Sequence, residues 1–513
     1  MRGLSSSNED VVFLILETIR ASSSKQQFMK DLRSLSLTSR YLRCICLPMI
    51  FRNFRRNWDM TILNHKEVLP LALCRHVTMF ELDVSATGDI LADEPTDITD
   101  SLAVALSHME RLQIFRLMNS AERGLWPALL AALFTCPSLI CLEIWDCPWR
   151  RPEEKFTRRE LHLTQKHSQL QRFVYRVPFT DCFPRESESY GRRDREQGSV
   201  ELSNLLVLAA LISETVEVLE LPAELALLLI AEFTFPRLRQ LTIQGNEPLH
   251  PSDWTSIFRS APMLRVCHLQ THTRFSVTPI GIEALGNTRS PSNRGFLAQG
   301  ISNLESLTIS NVLGKDMIIQ SLPYANLRTL SLKAFPLPDI LGARWSNIHT
   351  QVMTSSEVLG YLSSMQLTNL LTFELTYVVD SKEYSMLARV NSSFPNLNTL
   401  ELHRFRPLAT DNSDNDPLTL LPKFLTRMPK LQYLKLNLDF PQRPRCTDWR
   451  REGAENYKEF LEFLKNKVAA VFAADIPSLR KLGILFHGAF SSYWEIWEIT
   501  AKRSIIFERP QPL

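Results

Sequence analysis

Phe394-Pro-Asn-Leu-Asn-Thr-Leu-Glu-Leu402 places leucines at Leu397, Leu400 and Leu402, relative positions 0, +3 and +5. The last two lie two residues apart, so on an extended chain they point to one side, with polar Asn398, Thr399 and Glu401 between them. One such stretch reads as a single half-buried strand. Its weight comes from recurrence: Pro137–Ile144, Pro236–Ile243, Pro429–Leu436 and Pro477–Ile484 repeat the same pattern with conservative changes. Allowing such replacements, thirteen starts fall at Val77, Leu112, Leu139, Leu170, Val216, Leu238, Leu264, Leu304, Leu327, Leu370, Leu397, Leu431 and Leu479.

Several intervals match the roughly 20–29 residues of a leucine-rich repeat, and longer ones imply inserted loops. Cys147 and Asn246 sit where a fuller repeat carries an Asn or Cys rung; most copies lack it, so the repeats are irregular. Helical stretches fall between strands at 124–134, 201–212, 223–233, 252–259 and 457–473, with prolines such as Pro137, Pro262 and Pro395 marking the passage into the next strand. Strand–loop–helix units that each expose an apolar face stack into a continuous leucine core. Alternation alone also fits an ordinary α/β sheet. Recurrence of one strand pattern over residues 70–490 favours an α/β leucine-rich-repeat solenoid, a curved parallel sheet with outer helices. The chain resembles that family.

If positions +3 and +5 face the core, then +2, +4 and +6 line the concave, solvent-exposed face. Toward the carboxyl end these are Thr329, Ser331 and Lys333; Thr372, Glu374 and Thr376; Thr399, Glu401 and His403; and Tyr433, Lys435 and Asn437. Earlier rungs offer Cys141, Glu143 and Trp145, then Arg172, Val174 and Arg176. Mixed signs and few aromatics suit a protein target better than a phosphate backbone. Segments 85–100, 184–199, 271–300, 408–416 and 441–456 are charged or rich in turn-forming residues and read as surface loops.

The amino-terminal segment differs. Residues 9–19 form a helix candidate capped by Asn8, with apolar Val11, Leu14, Ile15 and Ile19 at helical spacing. A second candidate carries Phe28, Leu32, Leu35 and Leu42, and Pro48 is expected to open a last helical turn. Asn8–Ile19, Leu35-Ser-Leu-Thr-Ser-Arg-Tyr-Leu-Arg43 and Leu47-Pro-Met-Ile-Phe51 together resemble an F-box, of the fungal type that leads into leucine-rich repeats. Ser7 and Asn8 stand where the family opens with Leu-Pro. The resemblance implies a substrate-recruiting adaptor of a cullin–RING ubiquitin ligase. Val11, Leu14, Ile15, Leu32, Leu35, Leu42, Pro48 and Ile50 would dock on a Skp-type linker, or build the module's own core. The alternative is a repeat scaffold without a ubiquitin role, whose first helices only cap the array. The implied division is an F-box-like module at 1–55, repeats at 56–490, and a cap or tail at 491–513.

Composition fits this reading. A net charge of +3 over 513 residues gives no reason to expect nucleic acid or a membrane surface as partner. Nine scattered cysteines suit reduced thiols in a cytoplasmic or nuclear protein. No run reaches the roughly 20 apolar residues of a membrane span. Chemistry is expected to be absent: no enzyme, cofactor or metal. Residues 281–286 have phosphate-loop glycine spacing, but Asn287 replaces the lysine. Cys136, Cys141 and Cys147, and likewise His162 and His167, lack zinc-site spacing.

Overall fold

The computed structural model describes residues 9–57, 68–83, 96–118, 127–145, 169–176, 195–246, 254, 256–272, 300–312, 326–335, 352–406, 416–438, 440, 458–460, 462–487, 492–500, 505–507 and 511–512. The chain divides into two compact units, Met1–Leu221 and Pro222–Leu513.

The first unit opens with three helices, α1 (Glu9–Ser22), α2 (Lys25–Ser36) and α3 (Arg40–Phe51). The Ser24 and Ser39 side chains cap α2 and α3 by accepting from the Gln27 and Leu42 amides. Pro48 lies inside α3 rather than opening a further turn. Six parallel strands follow: β1 (Asn53–Asn57), β2 (Met79–Asp83), β3 (Ile114–Met118), β4 (Cys141–Trp145), β5 (Arg172–Arg176) and β6 (Val218–Pro222). In-register pairing aligns Phe54, Phe80, Phe115, Leu142, Phe173 and Leu219 into one core column. Phe54–Phe80 and Phe80–Phe115 have ring centroids 5.5 Å apart. Helices Thr96–Ser107, Pro127–Thr135 and Arg195–Ile212 come between strands.

The second unit runs β7 (Gln240–Asn246), β8 (Val266–His272), β9 (Ser306–Ile309), β10 (Thr329–Leu332), the two-residue β11 (Met353–Thr354), β12 (Thr372–Val378), β13 (Thr399–Phe405), β14 (Tyr433–Leu438) and β15 (Lys481–His487). These pair in parallel, with β12 flanked by β10 and β13 and also meeting β11. Then β16 (Ser492–Ile499) turns back antiparallel on β15, and β17 (Ile505–Phe507) and β18 (Gln511–Pro512) pair antiparallel with β16.

Each of the thirteen expected starts lies two residues before a strand and is buried. The residue after each start ties neighbouring rungs: Asn398 donates to the Leu371 carbonyl, Gln432 to that of Asn398 and Arg480 to that of Gln432. A smaller device explains the polar residue that stands before several starts. Ser138, Asn303 and Asn396, each just before a start, donate to the carbonyls of Glu110, Pro262 and Thr368 in the preceding rung. The fold class is therefore α/β, built of stacked leucine-rich repeats with a parallel sheet and helical connections, preceded by a three-helix module.

Some expectations are corrected. Thr96–Asp100, read as loop, begin a helix because Leu102, Ala105 and Leu106 supply a buried face. Arg195 likewise opens a helix that the charged wording of 184–199 hid. Thr271 and His272 extend β8, Gly300 lies in a helical turn, and Asp416 caps Pro417–Leu425. Segments 85–95, 184–194, 273–299, 408–415 and 441–456 lie outside the described residues, as do Asn8 and Ser252. Helices Ser355–Ser364 and Glu383–Ser393 were not foreseen.

Candidate functional site

The structure separates the amino-terminal candidates into two groups. Val12, Leu16, Phe28, Leu32, Leu42, Ile45 and Cys46 form the module's core. Leu32 and Leu42 are thereby spent inside the module and do not face a partner. Leu35 and Ile50 pack partly buried against that core, and Pro48 is half-buried. Val11, Leu14 and Ile15 point out: α1 buries Val12 and Leu16, one turn apart, so the neighbouring apolar positions are left on the surface. Leu14 is 68% exposed. Phe13 joins this patch, and Leu37 between α2 and α3 is also exposed.

On the second unit, strand register brings the other candidates together on one face. Thr329, Thr372, Thr399 and Tyr433 align as one column, and Ser331, Glu374, Glu401 and Lys435 as the next. Thr376, His403 and Asn437 form the third, with Lys333 just past the end of β10. The expectation of an open, solvated face needs correction here. Ser331, Thr376, Glu401, His403 and Asn437 are buried, while Thr329, Lys333, Thr372, Glu374, Thr399, Tyr433 and Lys435 are half-buried.

The cause is an internally neutralised network. Lys333 Nζ lies 2.9 Å from both Glu374 and Glu401. Glu401 also meets Lys435 at 3.6 Å and His403 Nε2 at 2.8 Å, and Asn437 Nδ2 sits 3.3 Å from His403 Nδ1. Burial alone would raise the Glu401 pKa. The hydrogen bond from His403 and the charges of Lys333 and His403 outweigh it and hold the carboxyl well below the usual range. Burial likewise works against a charged Lys333, but Glu401 and Glu374 overcome it and raise that pKa. Beyond the network, Leu485, Trp494 and Ile496 make a small apolar cluster with Tyr433. The His403 ring meets Trp494 edge-on with centroids 5.7 Å apart, and Lys435 Nζ lies 5.0 Å from the Trp494 ring. Gly483 permits this closure: a Cβ there would come 2.9 Å from Ile496 and 3.1 Å from Lys435.

A second charged face, on the first unit, was named only in part from sequence. Arg55, Glu81, Arg116 and Glu143 share one column and alternate in sign. Arg55 meets Glu81 at 3.1 Å and Asp83 at 3.0 Å; Arg116 meets Glu143 at 2.6 Å and Glu81 at 3.8 Å. From β5, Arg172 reaches Glu143 at 3.1 Å and Arg176 reaches Glu220 at 2.6 Å. Glu143 is buried, which raises its pKa, but Arg116 and Arg172 more than compensate and lower it. Val174 is buried, and Trp145 lies under the guanidiniums of Arg116 and Arg176, at 5.9 and 4.8 Å. Aligning the rungs and reading one column across them would have revealed this alternation; reading each strand alone hides it.

Cys136 and Cys141 are core residues, their thiols pushed up by burial to about 11 and about 12. Among the described residues no group of three or more His, Cys, Asp or Glu could hold a metal ion, and no helix is long and apolar enough to cross a membrane. Cys147, His162, His167 and residues 281–286 lie outside the described residues.

No family model and no curated protein matches the sequence. Among solved structures, the chain is similar to one titled "Crystal structure of TLR13-ssRNA13 complex", at 13% identity and a TM-score of 0.34. The match covers 76% of this chain and spans 58% of that one.

Proposed function

We propose that the chain is a substrate-recruiting adaptor: α1–α3 dock on the Skp-type linker of a cullin–RING ubiquitin ligase, and the repeats hold a target protein. The observation that supports this most is the split within the module. Its core closes without Val11, Leu14 and Ile15, which leaves an apolar patch free on α1. A helical cap whose only task was to shield the first repeat would have no need to turn these residues to solvent. No residue performs chemistry in this reading. The adaptor acts by proximity, raising the effective concentration of the target near the transfer machinery.

The other reading, a repeat scaffold without a ubiquitin role, draws on the fold alone. Co-purification separates the two. The full chain should retain a Skp-type linker through washing as an established F-box protein does in parallel. If the established protein retains the linker and this chain does not, the adaptor reading is wrong.

A further inference from the structure

The first unit's charged face is neutral by count but not by depth. The four arginines Arg55, Arg116, Arg172 and Arg176 keep 32–57% of their side-chain surface exposed; their partners Glu81, Asp83, Glu143 and Glu220 keep 4–15%. Carboxylates form the floor and guanidiniums the lid, so an approaching solute meets the cations first. Arg116, Arg172 and Arg176 each hold their floor carboxylate through Nε, at 2.6, 3.1 and 2.6 Å. An arginine fork has four further N–H donors on its two terminal nitrogens. The Nε attachment leaves the terminal nitrogens of Arg172 and Arg176 for a ligand, while Nη1 of Arg116 also lies 3.8 Å from the floor carboxylate Glu81. The Trp145 ring between Arg116 and Arg176 restrains both planes, so little side-chain freedom remains to be lost when a ligand arrives.

We propose that this face binds an acidic peptide segment of a partner protein, with Arg116, Arg172 and Arg176 clamping its carboxylates through their terminal nitrogens. Charge complementarity selects the occupant: a row of oriented guanidiniums matches carboxylates bidentately. The spacing favours a particular form of chain. Arg55 on β1 and Arg116 on β3 share one register column two strands apart, about 9.6 Å at ~4.8 Å per strand. On β5, Arg172 and Arg176 flank the column's next arginine-rung position at Val174. A polyproline-type chain repeats its facing side chain every three residues, about 9.3 Å. Acidic residues at every third position therefore meet successive arginine rungs.

The proposal does not depend on linker docking by α1–α3, so either can fail while the other stands. The test is fluorescence anisotropy of the full chain with a labelled peptide repeating Glu-Pro-Pro, against the same peptide with Gln for Glu. The expected result is binding of the glutamate peptide at least about tenfold tighter, weakening as salt is raised. Arg172→Lys and Arg176→Lys keep the cations that Glu143 and Glu220 require but remove the fork; combined, they should weaken the glutamate peptide severalfold with the circular dichroism spectrum unchanged. Equal affinity for the two peptides, no binding of either, or full affinity in the double lysine variant would overturn the proposal.

Discussion

Arg404 is fully buried, a placement an arginine tolerates only when paired. It donates to Glu383 through Nε at 2.7 Å and Nη2 at 3.0 Å, while the Tyr377 hydroxyl donates to Glu383 at 2.9 Å. The three join β12, β13 and the helix between them. Removing the carboxylate strands a buried cation, so Glu383→Ala should cost about 3–5 kcal/mol. Tyr377→Phe removes one neutral donor and should cost about 1 kcal/mol. Urea unfolding compares them; similar losses would contradict the pairing. Glu401 gives a pH test. A carboxyl whose pKa is lower folded than unfolded adds stability that is complete above the unfolded value and lost as pH falls through it toward the folded one. The deficit of Glu401→Gln relative to the natural chain should therefore shrink on acidification below the ordinary carboxylate value of 4.5, followed by thermal unfolding at stepped pH. A deficit constant with pH would refute the assignment. Neither arrangement could be seen in the strand pattern. Glu383 lies outside the repeating strands, and His403 looked like one more solvated +6 position.

At the scale of the element, sequence recovered strands better than helices. The strand signal repeats thirteen times in one phase, because every rung must present the same two inward positions to one core. The helical connections answer only to local packing and vary in length and wording. Ser355–Ser364 was missed although Thr354 and Glu357 form a complete capping box, which short polar wording disguised. Glycines show how tightly these connections pack. A Cβ at Gly300 would fall 2.5 Å from the Cβ of Phe258, an atom fixed to its backbone rather than the tip of a flexible side chain. Gly300→Ala should destabilise the chain by about 1–3 kcal/mol, as overpacking does. An unchanged midpoint in thermal unfolding would mean that the two residues are not so close.

At the scale of the molecule, the division of labour follows from where each face spends its charges and its apolar surface. The second unit's candidate face neutralises itself and is capped by the Trp494 cluster, while the first unit turns arginines outward and the helical module turns leucine and valine outward. The array was legible in the sequence, since a repeating leucine pattern has few other uses. The module's roles were not, because docking residues and core residues are both apolar at helical spacing; only three-dimensional packing tells Leu14 from Leu32. That distinction carries the adaptor reading, and a titration tests it. Purified Skp-type linker should bind the natural chain, and Leu14→Asp with Ile15→Asp should abolish binding while thermal stability stays within about 0.5 kcal/mol, because both residues are exposed. Linker binding that persists in the double aspartate variant would show that the α1 patch is not the docking surface.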